Sequence, residues 1–184
     1  ILNETVRALY LHVPMWFTMI FLLLLSSYHS YMFVSKGGEL HDSKSYNYAH
    51  VGVYFGILGL LTGMFWAKYT WGTYWTNDPK LNGSAIGLLI YFGYFILRSS
   101  IEDESKKGKI SSVYNVFAFS MLIPLIFILP RLTDSLHPGN GGNPGFNVYD
   151  MNSQLRLVFY PAVTGFIFLG LWISDLRLKM LKLK

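Results

Sequence analysis

Two long apolar runs are separated by the stretch Trp71-Gly72-Thr73-Tyr74-Trp75-Thr76-Asn77-Asp78-Pro79-Lys80. Wound as an α-helix, the stretch places large aromatic side chains and one carboxylate on a single face, at spacings i, i+3, i+4 and i+7. These residues are Trp71, Tyr74, Trp75 and Asp78. The pattern predicts a short amphipathic aromatic helix at a membrane surface, which ends at Asp78 because a residue before proline disfavours helix. Such a strip is typical of an interfacial aromatic belt, or of a surface on which a flat apolar ligand stacks.

The composition indicates a membrane protein. Of the 184 residues, 52% are hydrophobic and 14% are charged, whereas a soluble domain carries about 25% charged residues. The chain has no cysteine, which excludes disulfides and thiolate metal sites formed by its own residues. Its net charge of +5 comes from basic residues beside apolar runs, which favours membrane topology over nucleic-acid binding as the explanation.

The apolar runs predict a polytopic, all-α integral membrane bundle that forms a single transmembrane domain over residues 1–184. Five spans are predicted, at 11–34, 49–66, 84–99, 113–129 and 157–173. The remaining segments are a short polar loop at 35–48, the aromatic segment 71–80, a charged loop at 101–110, a Gly-, Asn- and Pro-rich loop at 130–154, and a basic tail. We expect the two short loops to be solvated.

Two features inside the spans predict local packing. Four glycines of the second span recur on one helical stripe, which favours close contact with a neighbouring helix. They are Gly52, Gly56, Gly59 and Gly63. In the fourth span, Pro124 predicts a kink, because proline cannot donate its helical hydrogen bond.

The basic residues divide unequally between the two ends of the predicted bundle. One end holds five, namely Arg7, Lys68, Lys80, Arg131 and Arg156. The other end holds ten, namely Lys36, Lys44, Arg98, Lys106, Lys107, Lys109, Arg177, Lys179, Lys182 and Lys184. The positive-inside rule puts the more basic end in the cytoplasm and the aromatic stretch on the outer face.

Two histidines fall on the same predicted outer face as the aromatic stretch. His12 lies in Tyr10-Leu11-His12-Val13-Pro14, where a proline in the first helical turn predicts that the histidine sits at a helix mouth. His137 lies in the glycine-rich loop. Two imidazoles can complete the coordination of haem iron, and aromatic rings can cover a porphyrin. A lone histidine at a membrane interface is more often a packing residue, so spacing alone leaves both interpretations open. The cations on this face that can pair with haem propionates are Lys80, Arg131 and Arg156.

The segment around His12 and the stretch Trp71–Asp78 together resemble the haem-handling protein family of system I cytochrome c maturation. The resemblance runs from Tyr10 to about Trp172 and includes the family's tryptophan-rich WWD-type motif, W-G-T-W-W-x-W-D. The matching positions are Trp71, Gly72, Thr73, Trp75 and Asp78. Departures from the motif and its tail are Tyr74 and Asn77 in place of tryptophans, Lys80 in place of arginine, and Asn82-Gly83 in place of Thr-Ser.

The resemblance implies that His12 and His137 are the axial ligands of a haem b, held edge-on at the outer face by the tryptophan-rich segment. It implies a haem-presenting component rather than an enzyme, in the bacterial inner membrane. The implied partners are a periplasmic haem chaperone, the ATPase and membrane subunits of an ABC-type transporter, and a small single-span subunit. The family has six spans, so we expect the sixth to precede Ile1.

Three other classes of function are open to the sequence. A membrane b-type cytochrome would use histidines inside the bilayer, and His29 and His50 lie near the cytoplasmic ends of neighbouring spans. A cytochrome c haem lyase-type subunit shares the tryptophan-rich motif but belongs to a much longer chain. A transporter has weak support, because paired broken helices are lacking and intramembrane charges are few.

Overall fold

The computed structural model describes residues 2–137 and 151–183, and this part of the chain is mainly helical. The helices are α1 (Leu2–Lys36), α2 (Glu39–Trp71), α3 (Pro79–Ser100), α4 (Glu104–Ile123), α5 (Leu129–Leu132) and α6 (Ser153–Lys182). Five helical segments within the described residues are long and apolar enough to cross a membrane, namely Arg7–Lys36, Glu39–Trp71, Pro79–Ser100, Glu104–Leu132 and Ser153–Leu181. The prediction of an all-α polytopic bundle with five spans is therefore confirmed.

The predicted solvated loop at 35–48 is wrong. Only Gly37 and Gly38 separate α1 from α2, and their φ angles of +74° and +97° are readily adopted only by glycine. The polar residues that follow belong to the first turns of α2. Ser45 and Asn47 are each 1% exposed, because their side chains bind polar groups of neighbouring helices. The last part of this polar segment thus lies in the helical interior.

A buried polar cluster joins α1, α2 and α4 in the half of the bundle near Gly37. Asn115 on α4 lies at its centre and donates to three serine hydroxyls, over 2.7 Å to Ser26, 2.8 Å to Ser30 and 3.0 Å to Ser45. Nearby, Arg98 of α3 forms a two-pronged ion pair with Asp42 of α2. In a low-dielectric interior, these groups need partners within the protein, which ties the helices together.

The glycine stripe of α2 packs against α1, as predicted. Each glycine faces one α1 side chain so closely that an added Cβ would meet it at 3.1 Å or less. From Gly52 to Gly56, Gly59 and Gly63, the facing residues are Leu23, Met19, Trp16 and His12. The two helices therefore approach each other along about three turns, and the last glycine lies against the His12 ring.

The predicted amphipathic helix over 71–80 is wrong, and so is the shared face derived from it. α2 ends at Trp71, because Gly72 adopts a left-handed conformation with φ of +83° and its N–H caps the Lys68 carbonyl. Residues 72–78 are not helical. Asp78 is extended, as expected before a proline, and α3 starts at Pro79. The aromatic stretch is therefore a helix end followed by a loop that leads into α3.

Two further sequence predictions concern α1 and the fourth span. α1 begins at Leu2, so His12 and Pro14 lie inside a helix rather than at its mouth. The predicted irregularity at Pro124 is present as a π-helical turn, Pro124–Ile128, which connects α4 to α5. Most of the predicted loop at 130–154 lies outside the described residues.

Candidate functional site

His12 is held by the backbone of α2 at the end of the bundle where α2 gives way to residues 72–78, here called the aromatic loop. Its Nδ1 lies 2.8 Å from the Gly59 carbonyl oxygen and 3.3 Å from the Thr62 hydroxyl. A carbonyl only accepts hydrogen bonds, so Nδ1 carries the proton and Nε2 is left as the basic nitrogen. The indole of Trp16 packs edge-on against the ring, with 6.3 Å between ring centres.

His137 reaches the same end of the bundle from the segment after α5. Its Nδ1 donates to Oδ1 of Asp78 over 2.9 Å, and its backbone N–H donates to the Ser135 hydroxyl over 3.2 Å. The His137 side chain is 12% exposed. As in His12, the proton is on Nδ1, and Nε2 has no hydrogen-bond partner among the described residues.

Asp78 is the residue that joins the aromatic loop to the His137 segment. Its carboxylate is 2% exposed and caps α3 by accepting from the N–H groups of Lys80 and Leu81. The same carboxylate accepts from the Ser135 hydroxyl over 2.8 Å and the Leu136 N–H over 2.7 Å. Asp78 therefore positions His137 and does not lie on an open face.

The electrostatics favour a carboxylate beside a neutral imidazole. Burial by itself raises the pKa of Asp78, but the hydrogen bonds from Ser135 and Leu136 and the adjacent His137 hold it below its ordinary value. Burial lowers the pKa of His137, and the opposing effect of Asp78 does not cancel this. At neutral pH, His137 is therefore a neutral donor to an ionised Asp78.

Two tryptophans enclose His137, and only one of them belongs to the predicted set. Trp71 packs edge-on against its ring with 4.9 Å between centres, and Trp66 lies 6.3 Å away at a tilt of 39°. Trp66 and Trp71 also contact each other. Sequence reasoning missed Trp66, because its contact with His137 exists only in the folded structure. Its one sequence signal is its place at the predicted end of the second span.

The other two predicted aromatics lie away from His137. Tyr74 packs against Phe65, with 5.9 Å between ring centres, and lies beneath the Lys68 ammonium at 5.6 Å. It is 49% exposed, and Trp75 is 41% exposed. The predicted continuous platform of Trp71, Tyr74 and Trp75 is wrong, because the left-handed turn at Gly72 takes the chain off the helical path.

The predicted cations are placed unequally. Lys80, in the first turn of α3, interacts electrostatically with Asp78, Arg131 and both histidines. Arg131 is exposed in α5. Arg156 lies in the first turn of α6, and its buried Nε has no hydrogen-bond partner among the described residues. Lys80 is thus a predicted cation that interacts electrostatically with both histidines.

The two histidines lie at the same end of the bundle although they are distant in sequence. His12 and His137 lie within electrostatic range of each other, at the end of the bundle that carries the aromatic loop. Each has its Nδ1 engaged by an oxygen of the protein. A histidine that binds a metal through one nitrogen commonly donates from the other to a carbonyl or carboxylate, which orients the ring. Each of the two imidazoles thus has the hydrogen-bonding pattern of a histidine that can bind a metal through Nε2.

The histidines considered for a b-type cytochrome have other partners. Nδ1 of His29 lies 2.9 Å from Nδ1 of His41, and His29 stacks on Tyr48. His50 packs against Tyr46 and Phe95, at 4.3 Å and 4.2 Å between ring centres. These contacts give each ring a packing role, and they provide no observation in favour of a haem between His29 and His50.

Comparison with known proteins gives one consistent family. A family model described as CcmC, heme exporter protein C, matches residues 2–183. Heme exporter protein C of Bradyrhizobium diazoefficiens is 26% identical over 181 residues, covering 98% of this chain and 68% of that protein. The Paracoccus denitrificans protein of that name is 25% identical over 177 residues, covering 95% and 72%. The Escherichia coli K12 protein of that name is 26% identical over 182 residues, covering 97% and 71%.

Proposed function

The chain belongs to the heme exporter protein C family, and from this premise we propose that it holds haem b at the periplasmic face of the bacterial inner membrane. In this proposal, the protein presents haem to a periplasmic haem chaperone for the biogenesis of c-type cytochromes. Haem is cargo here, and the chain makes no covalent bond to it. His12 and His137 are the iron ligands.

The observation that carries the proposal is that both imidazoles have the same hydrogen-bonding pattern. His12 donates from Nδ1 to the Gly59 carbonyl, and His137 donates from Nδ1 to Asp78. Both rings are thereby oriented, with the basic Nε2 available to iron. A hydrogen bond to a carboxylate also makes an imidazole a stronger ligand, so Asp78 strengthens His137 toward iron.

The surroundings of His137 fit the remaining needs of a porphyrin. Trp66 and Trp71 supply large apolar faces beside the ligand. Lys80, together with Arg131 and Arg156, supplies positive charge for the propionates. The resident residues thus bind, orient and shield the cargo, while two strong-field imidazoles keep iron from activating oxygen.

The partners proposed for this chain are those of a membrane assembly. They are the periplasmic haem chaperone, the ATPase and membrane subunits of an ABC-type transporter, and a small single-span subunit. The lipid bilayer surrounds the helices. The excess of basic residues at the opposite end of the bundle supports a periplasmic position for His12 and His137.

The direct test is the visible spectrum of the full chain purified in detergent with haem. We expect a low-spin, six-coordinate signal that weakens in His12→Ala or His137→Ala and recovers when imidazole is added. His50→Ala is the matched control, since His50 packs against Tyr46 and Phe95. If the spectra of both ligand variants equal that of the wild type, the ligand assignment is wrong.

The alternatives make different predictions in the same preparation. Haem retained in the His12, His137 double variant but lost in His50→Ala or His29→Ala would favour a b-type cytochrome. A haem lyase-type subunit would by itself attach haem to a Cys-x-x-Cys-His apocytochrome, and we expect no such product.

A further inference from the structure

A second group of charged side chains surrounds Tyr46, at the end of the bundle opposite the aromatic loop. The guanidinium carbon of Arg98, from the last turns of α3, lies 4.7 Å from the centre of the Tyr46 ring. The guanidinium carbon of Arg177, from the last turns of α6, lies 5.7 Å from the same centre. Both distances are within the range of cation–π attraction, so two positive charges share one ring.

The two guanidinium groups have only one carboxylate partner among the described residues. Arg98 is neutralised by the two-pronged ion pair with Asp42. Arg177 donates instead to the neutral amide oxygen of Asn47 over 2.9 Å. The nearest acidic residue on its own helix, Asp175, pairs with Lys179 at 2.7 Å. The group around Tyr46 therefore carries one positive charge in excess.

The geometry holds the Arg177 guanidinium in a fixed place. Asn47 is 1% exposed and donates its own amide to the Ser174 carbonyl over 2.7 Å, so its oxygen is aimed at Arg177. Arg177 itself is half-buried. A guanidinium has five N–H donors, of which one is bound to Asn47, so several remain for a ligand. His50, one turn beyond Tyr46, lies within electrostatic range of both arginines.

We propose that the group of Arg98, Arg177 and Tyr46 binds the phosphate of an anionic phospholipid in the cytoplasmic leaflet. The positive-inside rule puts this end of the bundle at the cytoplasmic surface, where the helix ends that carry both arginines meet the headgroup layer. A phosphodiester carries one negative charge, which matches the one unneutralised guanidinium. Planar guanidinium groups bind phosphate oxygens through paired hydrogen bonds. The lipid would then bind together α2, α3 and α6.

The test uses the full chain in detergent, with phosphatidylglycerol or phosphatidylcholine added, and counts retained lipid by native mass spectrometry. We expect the wild type to retain phosphatidylglycerol in preference to phosphatidylcholine. Arg177→Gln removes the charge but keeps a donor for Asn47, and we expect it to retain phosphatidylglycerol about fivefold less well. Lys179→Gln is the control, because it changes the net charge equally two residues further along α6, and we expect no loss.

Equal retention of the two lipids by the wild type, or equal losses in Arg177→Gln and Lys179→Gln, would overturn the site. If added inorganic phosphate does not displace phosphatidylglycerol, the result supports a lipid site. If the protein binds phosphate and shows no preference between the two lipids, the lipid assignment is wrong. Should Arg177→Gln fail to fold, Arg177→Lys decides the matter. It keeps the charge without the planar fork, so partial retention supports the site and retention equal to the wild type contradicts it.

Discussion

Nδ1 of His137 donates a hydrogen bond to Oδ1 of Asp78 over 2.9 Å, between residues 59 positions apart in the sequence. The same carboxylate caps α3 and accepts hydrogen bonds from Ser135 and Leu136. One buried side chain thus connects the start of a membrane helix to the segment that carries a proposed iron ligand.

Asp78→Asn should weaken haem binding about 10- to 100-fold, because the ligand loses its charged partner while asparagine still caps a helix well. Haem titration followed by visible absorbance measures the change. Asp103→Asn is the matched control, since Asp103 caps α4 in the same way without contacting a histidine. Equal affinities of Asp78→Asn and the wild type would show that Asp78 serves only as a helix cap.

Gly63→Ala should displace the His12 ring, because the added Cβ would lie 2.5 Å from its Cε1 and 3.1 Å from its Nδ1. We expect a loss of roughly 1–3 kcal/mol in stability from overpacking, together with weaker six-coordinate absorbance. The control is Gly165→Ala on α6, where an added Cβ meets nothing within 4 Å. Unchanged spectra and thermal stability in Gly63→Ala would contradict the close contact between α1 and α2.

Trp66→Ala should lower haem affinity about tenfold, since it removes a large apolar face beside His137. Tyr74→Ala should change the affinity by less than about twofold, because Tyr74 is half-exposed and packs against Phe65 instead. Both affinities come from the same haem titration. If Tyr74→Ala lowers the haem affinity more than Trp66→Ala does, the aromatic loop contributes more to haem binding than the end of α2, contrary to this prediction.

Asn115→Ala should lower the free energy of unfolding by roughly 1–2 kcal/mol, because three serine hydroxyls lose their common donor. Haem binding should stay unchanged, since the polar cluster lies in the other half of the bundle. Thermal unfolding in detergent and the haem titration check the two parts. Ser120→Ala is the control, as its exposed hydroxyl donates to a carbonyl of its own helix, at Val116.

Acid should weaken both the fold around His137 and its proposed binding of iron. The pKa of His137 in the folded chain lies below its ordinary value of 6.5, so the unfolded chain binds the extra proton first. Stability from this group is therefore complete above pH 6.5 and is lost as the pH falls toward the lowered pKa.

The carboxylate acts in the same direction at lower pH. The pKa of Asp78 lies below its ordinary value of 3.8, so its contribution is complete above that pH and is lost below it. Thermal stability measured from pH 8 down to pH 3 should decline, and His137→Ala should remove the part of the decline that begins near pH 6.5. A profile identical to that of the wild type would exclude His137 as the source.

The prediction of five spans, the close glycine stripe and the irregularity at Pro124 came from local or periodic features. Apolar run length, small-residue spacing and a missing N–H act within a single helix or its immediate neighbour, so they can be read along the chain. The same local reasoning failed at 71–80, where helical spacing was assumed. One glycine in the left-handed conformation ended α2 and separated Tyr74 from Trp71.

The sequence by itself determined that the chain is a helical membrane protein with His12, Asp78 and His137 toward one end, because hydrophobicity and basic-residue placement depend on composition along the chain. Only the tertiary structure decided that Asp78 binds His137, that Gly59 binds His12, that Trp66 joins the site and that His29 meets His41 rather than His50. Those contacts depend on how helices rotate and pack against one another, and the buried polar groups of distant segments select the pairing.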